Sequence, residues 1–237
     1  MEQITRQGGG RTLLIEDSDG QNLLHGIVVE NSKPTNSQFE IQDTTFSMTT
    51  SRLEAFSDGV IAILITIMVL ELRPPHETTI ESLRPLIPVL LSYLLSFVFL
   101  GIYWTNHHHL IHAAQHVNGS VLWANLHLLF WLSLIPFGTA WMGDGHFAQW
   151  PVALYGAILL FAAIAYFILV QTLLALHGPD SLLANALGSD FKGKISIVVY
   201  LVAIPLAFVN PLLACGFYVL VAVMWLVPDR RIERKIG

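Results

Sequence analysis

Polar residues at the start of an otherwise apolar segment provide the clearest chemical signal in this sequence. Ser57 and Asp58 are adjacent there, and Arg52 precedes Asp58 by six residues. A carboxylate inside a membrane helix is costly to bury, so it usually faces other helices and finds partners there. Six residues do not return to the same helix face, so we expect Arg52 and Asp58 to have partners on other helices. A purely structural role for Asp58 is an equally open interpretation.

An apolar stripe follows these polar residues at helical spacing. Ile63, Ile67 and Leu70 recur at i, i+4 and i+7, and Thr66 lies beside them. In a symmetric bundle such a stripe would form rings of branched side chains, and a narrow apolar ring can close a pore by dewetting. A ring of threonine hydroxyls can replace part of a cation's hydration shell. Taken alone, the pattern is more typical of a lipid-facing or core stripe, with a threonine bonded to its own helix.

Histidines form a second candidate site. Three of them repeat at i+4 on one helix face, a spacing that can bind zinc, and the whole cluster comprises His107, His108, His109, His112 and His116. The pattern leaves open a histidine-rich membrane metal-dependent enzyme or a metal-ion transporter. Against this alternative, the other histidines of the apolar region are not paired at ligand spacing. We expect no metal and no catalytic residues, and we interpret the cluster as a titratable interfacial patch.

The composition restricts the class of protein that must position these residues. Hydrophobic residues make up 54% of the 237 residues and charged residues 12%, against about 25% charged residues in a typical soluble domain. A net charge of −5, without a basic patch before the last eight residues, excludes a nucleic-acid-binding protein. The single cysteine, Cys215, excludes a disulfide framework. We therefore expect an integral protein of the lipid bilayer, without the motifs of an enzyme.

Six apolar segments have lengths suited to membrane helices. The last two are short, but one helix over both would be about 50 Å long, too long for a hydrocarbon core of about 30 Å. Asn210 and Pro211 supply a break between them. The predicted fold class is all-α, an integral membrane protein with six transmembrane helices, over residues 52–72, 85–106, 120–142, 151–176, 194–209 and 212–227.

Residues 1–48 differ from the rest of the chain because they hold seven acidic and three basic residues and lack a long apolar core. We predict a soluble, flexible N-terminal extension, within which residues 24–29 could form a strand. With the N-terminus inside, seven Lys and Arg residues near the spans lie on the inner side and two on the outer side. The positive-inside rule then predicts a multi-pass protein of the cell membrane with both termini cytoplasmic.

The first predicted span also carries a specific motif. Residues 52–59 read Arg-x-x-x-Phe-Ser-Asp-Gly, and Ala-Ile-x-Ile-Thr follows at residues 62–66. This pattern resembles the signature of the transmembrane protein 175 family of lysosomal and bacterial potassium channels, and the chain looks like one of its short prokaryotic members. Weaker segments agree in their order along the chain, and the resemblance covers about residues 50–237. They are Trp-Thr-Asn-His-His at 104–108, Trp-Ala-Asn-Leu at 123–126, Ile-Pro-Phe at 135–137 and Trp-Leu-Val-Pro-Asp-Arg-Arg at 225–231.

The resemblance implies a function and a set of site residues. It implies a potassium-selective cation channel that conducts passively, with a six-helix channel domain at residues 49–237, potassium as the permeant species and no cofactor. Animal members carry two repeats per chain and form dimers, so this one-repeat chain is expected to form a homotetramer around a pore lined by helix one. The gate would be Ile63, Ile67 and Leu70, and Thr66 would form the selectivity ring. The motif and its network would comprise Arg52, Phe56, Ser57, Asp58, Gly59, Trp104, His107, His108 and Asn125.

Overall fold

The computed structural model describes residues 3–7, 10–16, 22–28, 50–179, 181, 183–184 and 191–226. The chain divides into two compact units, Met1–Thr45 and Phe46–Gly237. The second unit contains all of the predicted membrane spans and both candidate sites, so it is the unit that positions them.

The N-terminal unit contains one antiparallel sheet among its described residues. Its strands are adjacent in chain order, and the pairing of the second with the third includes a shift in register. They are β1 (Gln3–Gln7), β2 (Gly10–Glu16) and β3 (Asn22–Val28). The third strand covers most of the segment in which the sequence indicated a strand. The soluble and flexible character of residues 1–48 stays a prediction.

The described part of the membrane unit is helical throughout. A 3-10 segment, Ile80–Leu86, leads into the second helix. The α-helices are α1 (Thr50–Leu70), α2 (Ile87–His112), α3 (Gly119–Ser133), α4 (Ile135–Asp144), α5 (Gln149–His177), α6 (Phe191–Leu206) and α7 (Pro211–Leu226). Each predicted span corresponds to one of these helices, or to the consecutive pair α3 and α4. The all-α, six-span membrane fold is thereby confirmed for this unit.

Apolar length explains most of these helices. Four segments are long and apolar enough to cross a membrane by length and composition: Thr50–Leu70, Ile80–His112, Gly119–Asp144 and Gln149–His177. The helices α6 and α7 have 16 residues each. They are separate because the chain breaks where the sequence predicted: the Oδ1 of Asn210 accepts a hydrogen bond from the Leu213 backbone N–H at 3.1 Å, and Pro211 begins α7. The predicted end of the last span at residue 227 lies outside the described residues.

The third span contains a break that the sequence analysis did not predict. Pro136 lacks a backbone N–H, so it cannot donate to the carbonyl four residues earlier, that of Leu132. The helix therefore pauses at Leu134, and the regular pattern resumes when Gly138 donates to the Leu134 carbonyl at 3.0 Å. The segment 119–144 is thus one span made of two consecutive helices.

The packing of the membrane unit is centred on α5, with α1 at its edge. The helix α5 packs against α3, α4, α6 and α7, whereas α1 packs against α2, α3 and α4. Within the apolar part of each helix, 56% of the α5 residues and 28% of the α1 residues are buried. A large part of the α1 surface is therefore left uncovered by the other described helices.

Candidate functional site

The first helix has two faces with different environments. Its buried residues recur every three or four positions and so share one face, which is turned towards α2, α3 and α4; they are Leu53, Ser57, Ile61, Leu64 and Met68. Ser57 is the polar member of this face. Its hydroxyl needs a hydrogen-bond partner within the protein, because an unpaired polar group in an apolar environment is destabilising.

Ser57 belongs to a chain of hydrogen bonds that passes through three helices. Its hydroxyl donates to the Leu53 carbonyl of α1 at 2.9 Å and accepts from the Nδ2 of Asn125 on α3 at 2.9 Å. The Oδ1 of Asn125 lies 2.7 Å from the Nε2 of His107 on α2. All three side chains are fully buried. The structure thus brings Ser57, His107 and Asn125 of the predicted network into direct contact.

The two ends of this chain fix the direction of its hydrogen bonds. The Leu53 carbonyl can only accept, so Ser57 donates to it and accepts from the Asn125 amide. The Oδ1 of Asn125 can only accept, so the Nε2 of His107 carries a proton. The Nδ1 of His107 is buried and has no hydrogen-bond partner among the described residues. A proton on Nδ1 would leave a buried donor unpaired, which favours the Nε2–H tautomer.

Two carboxylates on the neighbouring edge of α1 contact α2. The Nε1–H of Trp104 donates to the Oδ1 of Asp58 at 3.0 Å, and the Oε1 of Glu54 lies 2.7 Å from the Nδ1 of His108. The rings of Trp104 and His108 stack, with centroids 6.2 Å apart. The structure therefore joins Asp58, Trp104 and His108 in a second set of contacts between α1 and α2, which Glu54 completes.

The remaining residues predicted for the network lie elsewhere on α1. Arg52, Phe56 and Gly59 are exposed, and Arg52 forms no hydrogen bond or ion pair with another described residue. A Cβ atom at Gly59 would meet no other atom within 4 Å. Successive helix residues are rotated by about 100°, which turns these three positions away from Ser57. Within one subunit the network therefore does not include them.

The predicted gate and selectivity residues share this uncovered face of α1. Ile63, Ile67 and Leu70 are exposed to 57%, 41% and 75%, and Thr66 is exposed as well. The Thr66 hydroxyl donates to the Ile63 carbonyl at 2.9 Å. This bond uses the hydroxyl proton and leaves the oxygen lone pairs free to accept or to coordinate.

The histidines beyond His108 form ring contacts, and one further histidine accepts hydrogen bonds from the loop after α2. The ring of His112 stacks on that of His108 with centroids 5.9 Å apart, and His116 packs against His177 at 4.5 Å. The Nε2 of His177 accepts from the backbone N–H groups of Gln115 and His116, at 3.1 and 3.4 Å. In the described part of the chain, the side chains close enough to share a metal ion are instead those of Glu54, Asp58 and His108.

Sequence reasoning missed two features of this region. Ser96 of α2 bonds to the Tyr155 hydroxyl of α5 at 2.8 Å, and Thr139 of α4 lies 2.5 Å from Ser96; these are common helix residues without informative spacing. Glu54 is not among the site residues predicted from the sequence. Its position four residues before Asp58 places two carboxylates on one side of a membrane helix, and this spacing could have revealed their joint role.

The fold and these contacts define a class of protein. It is a multi-pass helical membrane protein in which two sets of polar contacts hold the first helix in place. The opposite face of that helix is uncovered, and from Ile63 to Leu70 it is apolar except for the Thr66 hydroxyl.

Comparison with known proteins identifies the family within this class. A family model described as endosomal/lysosomal potassium channel TMEM175 matches residues 52–136. A potassium channel from Chryseobacterium sp. (strain P1-3) is 55% identical over 189 residues, which cover 80% of this chain and 98% of that protein. A potassium channel from Chamaesiphon minutus is 31% identical over 189 residues, or 73% of this chain and 92% of that protein. This chain belongs to the TMEM175 family.

A solved structure agrees with this assignment. The crystal structure of a lysosomal potassium-selective channel TMEM175 homolog from Chamaesiphon minutus is similar to this chain with a TM-score of 0.64 and 28% identity, and the match covers 79% of this chain and 98% of that one. The family consists of channels, so this chain is a membrane protein of the channel type and not an enzyme. The metal-dependent enzyme considered from the histidine pattern is therefore set aside.

Proposed function

We propose that this protein is a potassium-selective channel that conducts passively, in which four copies surround a pore lined by α1. The names of its relatives support potassium as the permeant ion. The observation that carries the proposal is the uncovered face of α1. Ile63, Ile67 and Leu70 are exposed there, although the opposite face is firmly held by its own subunit.

Polar and small residues on this face favour a pore over contact with lipid. Thr66 has oxygen lone pairs that lipid cannot use, whereas a permeating cation can. Gly59 has no side chain, which permits close approach of a neighbouring copy. Arg52 is a charged residue without a partner among the described residues of its own subunit, and a charge in a membrane protein usually faces the bundle or water.

The proposed gate and selectivity ring follow from the order of residues along α1. Four-fold repetition would turn Ile63 and Ile67 into apolar rings, with Leu70 as a third, and rings of this kind exclude water when narrow. The Thr66 oxygens of four copies would lie between the first and second rings, those of Ile63 and Ile67. Opening then requires the isoleucine rings to widen or rotate, so that a hydrated cation reaches the threonines.

The proposed assembly and orientation rest on two further arguments. Each subunit offers a single α1, so closure of a ring around one axis requires several copies, and the two-repeat animal members point to four. The excess of Lys and Arg on one side of the spans supports a cytoplasmic location of both termini. In that orientation residues 1–48 form a soluble cytoplasmic extension, and the Ser57–Asn125–His107 chain lies near the cytoplasmic end of the pore.

Potassium flux through the purified protein tests this function. The full chain is reconstituted into potassium-loaded vesicles, and efflux is followed after dilution into sodium or into an impermeant cation. We expect efflux from potassium-loaded vesicles and much smaller efflux when sodium is the loaded ion. Protein-free vesicles should show none. Equal flux of the two ions would contradict potassium selectivity, and absence of flux from correctly assembled protein would contradict the channel function.

A further inference from the structure

We propose that Glu54, Asp58 and His108 form a binding site for a first-row transition-metal ion, with zinc as the reference ion, that joins α1 to α2. One ligand atom from each of the three residues lies within 4.8 Å of the others. Zinc binds nitrogen and oxygen ligands at about 2.0–2.2 Å, so tetrahedral ligands stand about 3.4 Å apart. Small side-chain rotations bring the three ligand atoms to that separation, because each of them lies at the end of a rotatable side chain.

The types of ligand atom select the class of ion. Two carboxylate oxygens and one imidazole nitrogen suit zinc and its first-row neighbours. Calcium and magnesium prefer shells made of oxygen ligands, six or more of them for calcium. The three protein ligands leave a fourth position for water. Since His108 is 43% exposed and Glu54 is 21% exposed, both the ion and this water can reach the site.

The surroundings hold the ligands close to the required arrangement. Trp104 donates to the Oδ1 of Asp58, which fixes that carboxylate and leaves its second oxygen available to an ion. The ring of His108 is held between those of Trp104 and His112, with centroids at 6.2 and 5.9 Å. Partners that orient metal ligands in this way commonly contribute a factor of 10 to 100 in affinity.

The local charge also favours a cation. Glu54 and Asp58 stand four residues apart on α1 and repel each other when both are ionised. In the described part of the chain neither carboxylate forms an ion pair with a lysine or an arginine; the one ion-pair contact is with His108. A divalent ion would neutralise both carboxylates. The site is separate from the uncovered face of α1 that carries the proposed gate.

Zinc binding to the full chain in detergent, with any purification tag removed, tests this proposal without reference to ion conduction. Equilibrium dialysis with zinc chloride alone should show one ion per subunit. Saturation should raise the melting temperature by about 3 °C or more, because an ion that binds the folded state stabilises it. Cobalt in place of zinc should give the visible absorption of a low-coordinate nitrogen and oxygen site.

Three variants make the outcome specific. His108→Ala and Glu54→Gln should each weaken zinc binding at least tenfold and abolish the cobalt absorption. Glu54→Gln nearly preserves the shape of the residue and so covers the case in which His108→Ala does not fold. The control His109→Ala removes an exposed neighbouring histidine and should bind zinc like the wild type. The proposal is overturned if the wild type retains no zinc, or if His109→Ala loses as much affinity as His108→Ala.

Discussion

The hydroxyl of Thr66 is the one hydrogen-bonding side chain among the residues proposed to form the gate and the selectivity ring. Thr66→Ala removes the hydroxyl and leaves the apolar rings in place, so the preference for potassium over sodium should fall severalfold while assembly is unchanged. Thr66→Ser keeps the hydroxyl and is the matched control. Reversal potentials under bi-ionic conditions measure the change. Unchanged selectivity in Thr66→Ala would move the filter to another part of the chain.

Asn125 is the central link of the buried chain that joins α1, α2 and α3. Asn125→Ala leaves the His107 Nε2–H without an acceptor and removes a donor to Ser57, and each unpaired buried group is destabilising by about 1–3 kcal/mol. The melting temperature should fall by several degrees. Ser133→Ala removes an exposed hydroxyl that bonds only to its own helix, at the Phe130 carbonyl, and should change it little. Equal melting temperatures in the two variants would show that the chain does not stabilise the fold.

Asp58 should matter less for stability than Asn125, although it belongs to the most specific motif of the sequence. It is partly exposed and receives one hydrogen bond from another helix, that of Trp104. Asp58→Asn retains the acceptor oxygen for this bond, so it should lower the stability of the protein less than Asp58→Ala does. The reason for this order is that the fully buried members of the network are Ser57, His107 and Asn125.

At the scale of the helix, the exposed stripe of α1 sets the expected behaviour of the gate. Ile63→Asn and Ile67→Asn place an amide where an apolar ring is proposed to exclude water, so each should admit water and raise the potassium current. Single-channel recording in planar bilayers separates conductance from open probability. If both quantities stay at wild-type values in both variants, these side chains do not line the constriction.

Close packing between α5 and α7 depends on a glycine. A Cβ atom at Gly156 would clash with the Tyr218 hydroxyl, which is buried and donates to the Val152 carbonyl at 3.1 Å. Gly156→Ala should therefore force Tyr218 to move and lower the melting temperature clearly. In the control Gly101→Ala the new Cβ meets no atom within 4 Å, and the better helix propensity of alanine makes a neutral or slightly stabilising change the expected result. The opposite order in a thermal unfolding assay would contradict the packing described for α5 and α7.

Elements were easier to predict from the sequence than contacts between them. Long apolar segments and the break before Pro211 gave the spans to within a few residues, except that α2 continues to His112. His116 lies beyond the end of α2, so the predicted helix face shared by His108, His112 and His116 is wrong for His116. The break at Leu134 was missed because the sequence does not distinguish a proline that begins a new helix from a proline within a continuous span. The pairing of Glu54 with His108 was missed because helical spacing describes one helix, whereas this contact depends on how two helices pack. Asn125 and His107 could be named only through the family resemblance.

The proposed four-fold assembly can be tested on the whole molecule with cysteine cross-linking. In a Cys215→Ser background, Leu70→Cys places a thiol on the uncovered face of α1, where copies around one axis would approach each other. A short bifunctional maleimide should give cross-linked dimers on a denaturing gel, and light scattering in detergent should give four times the subunit mass. Leu201→Cys is the control, because Leu201 is also exposed but lies on α6, which packs against α5 and α7. Cross-linking of Leu201→Cys alone would place a different face at the axis.

The hydrogen-bond chain from His107 to the Leu53 carbonyl has a consequence for the movement of protons. A relay along hydrogen bonds requires every link to accept a proton and then pass another one on. The Nδ2 of Asn125 has no free lone pair to accept one, and the Leu53 carbonyl has no proton to give. This hydrogen-bond chain through three helices therefore cannot relay protons, although it lies in the interior of the protein. It can therefore hold α1 in place without forming a path for protons, and the proposed cation pathway lies at the opposite face of α1.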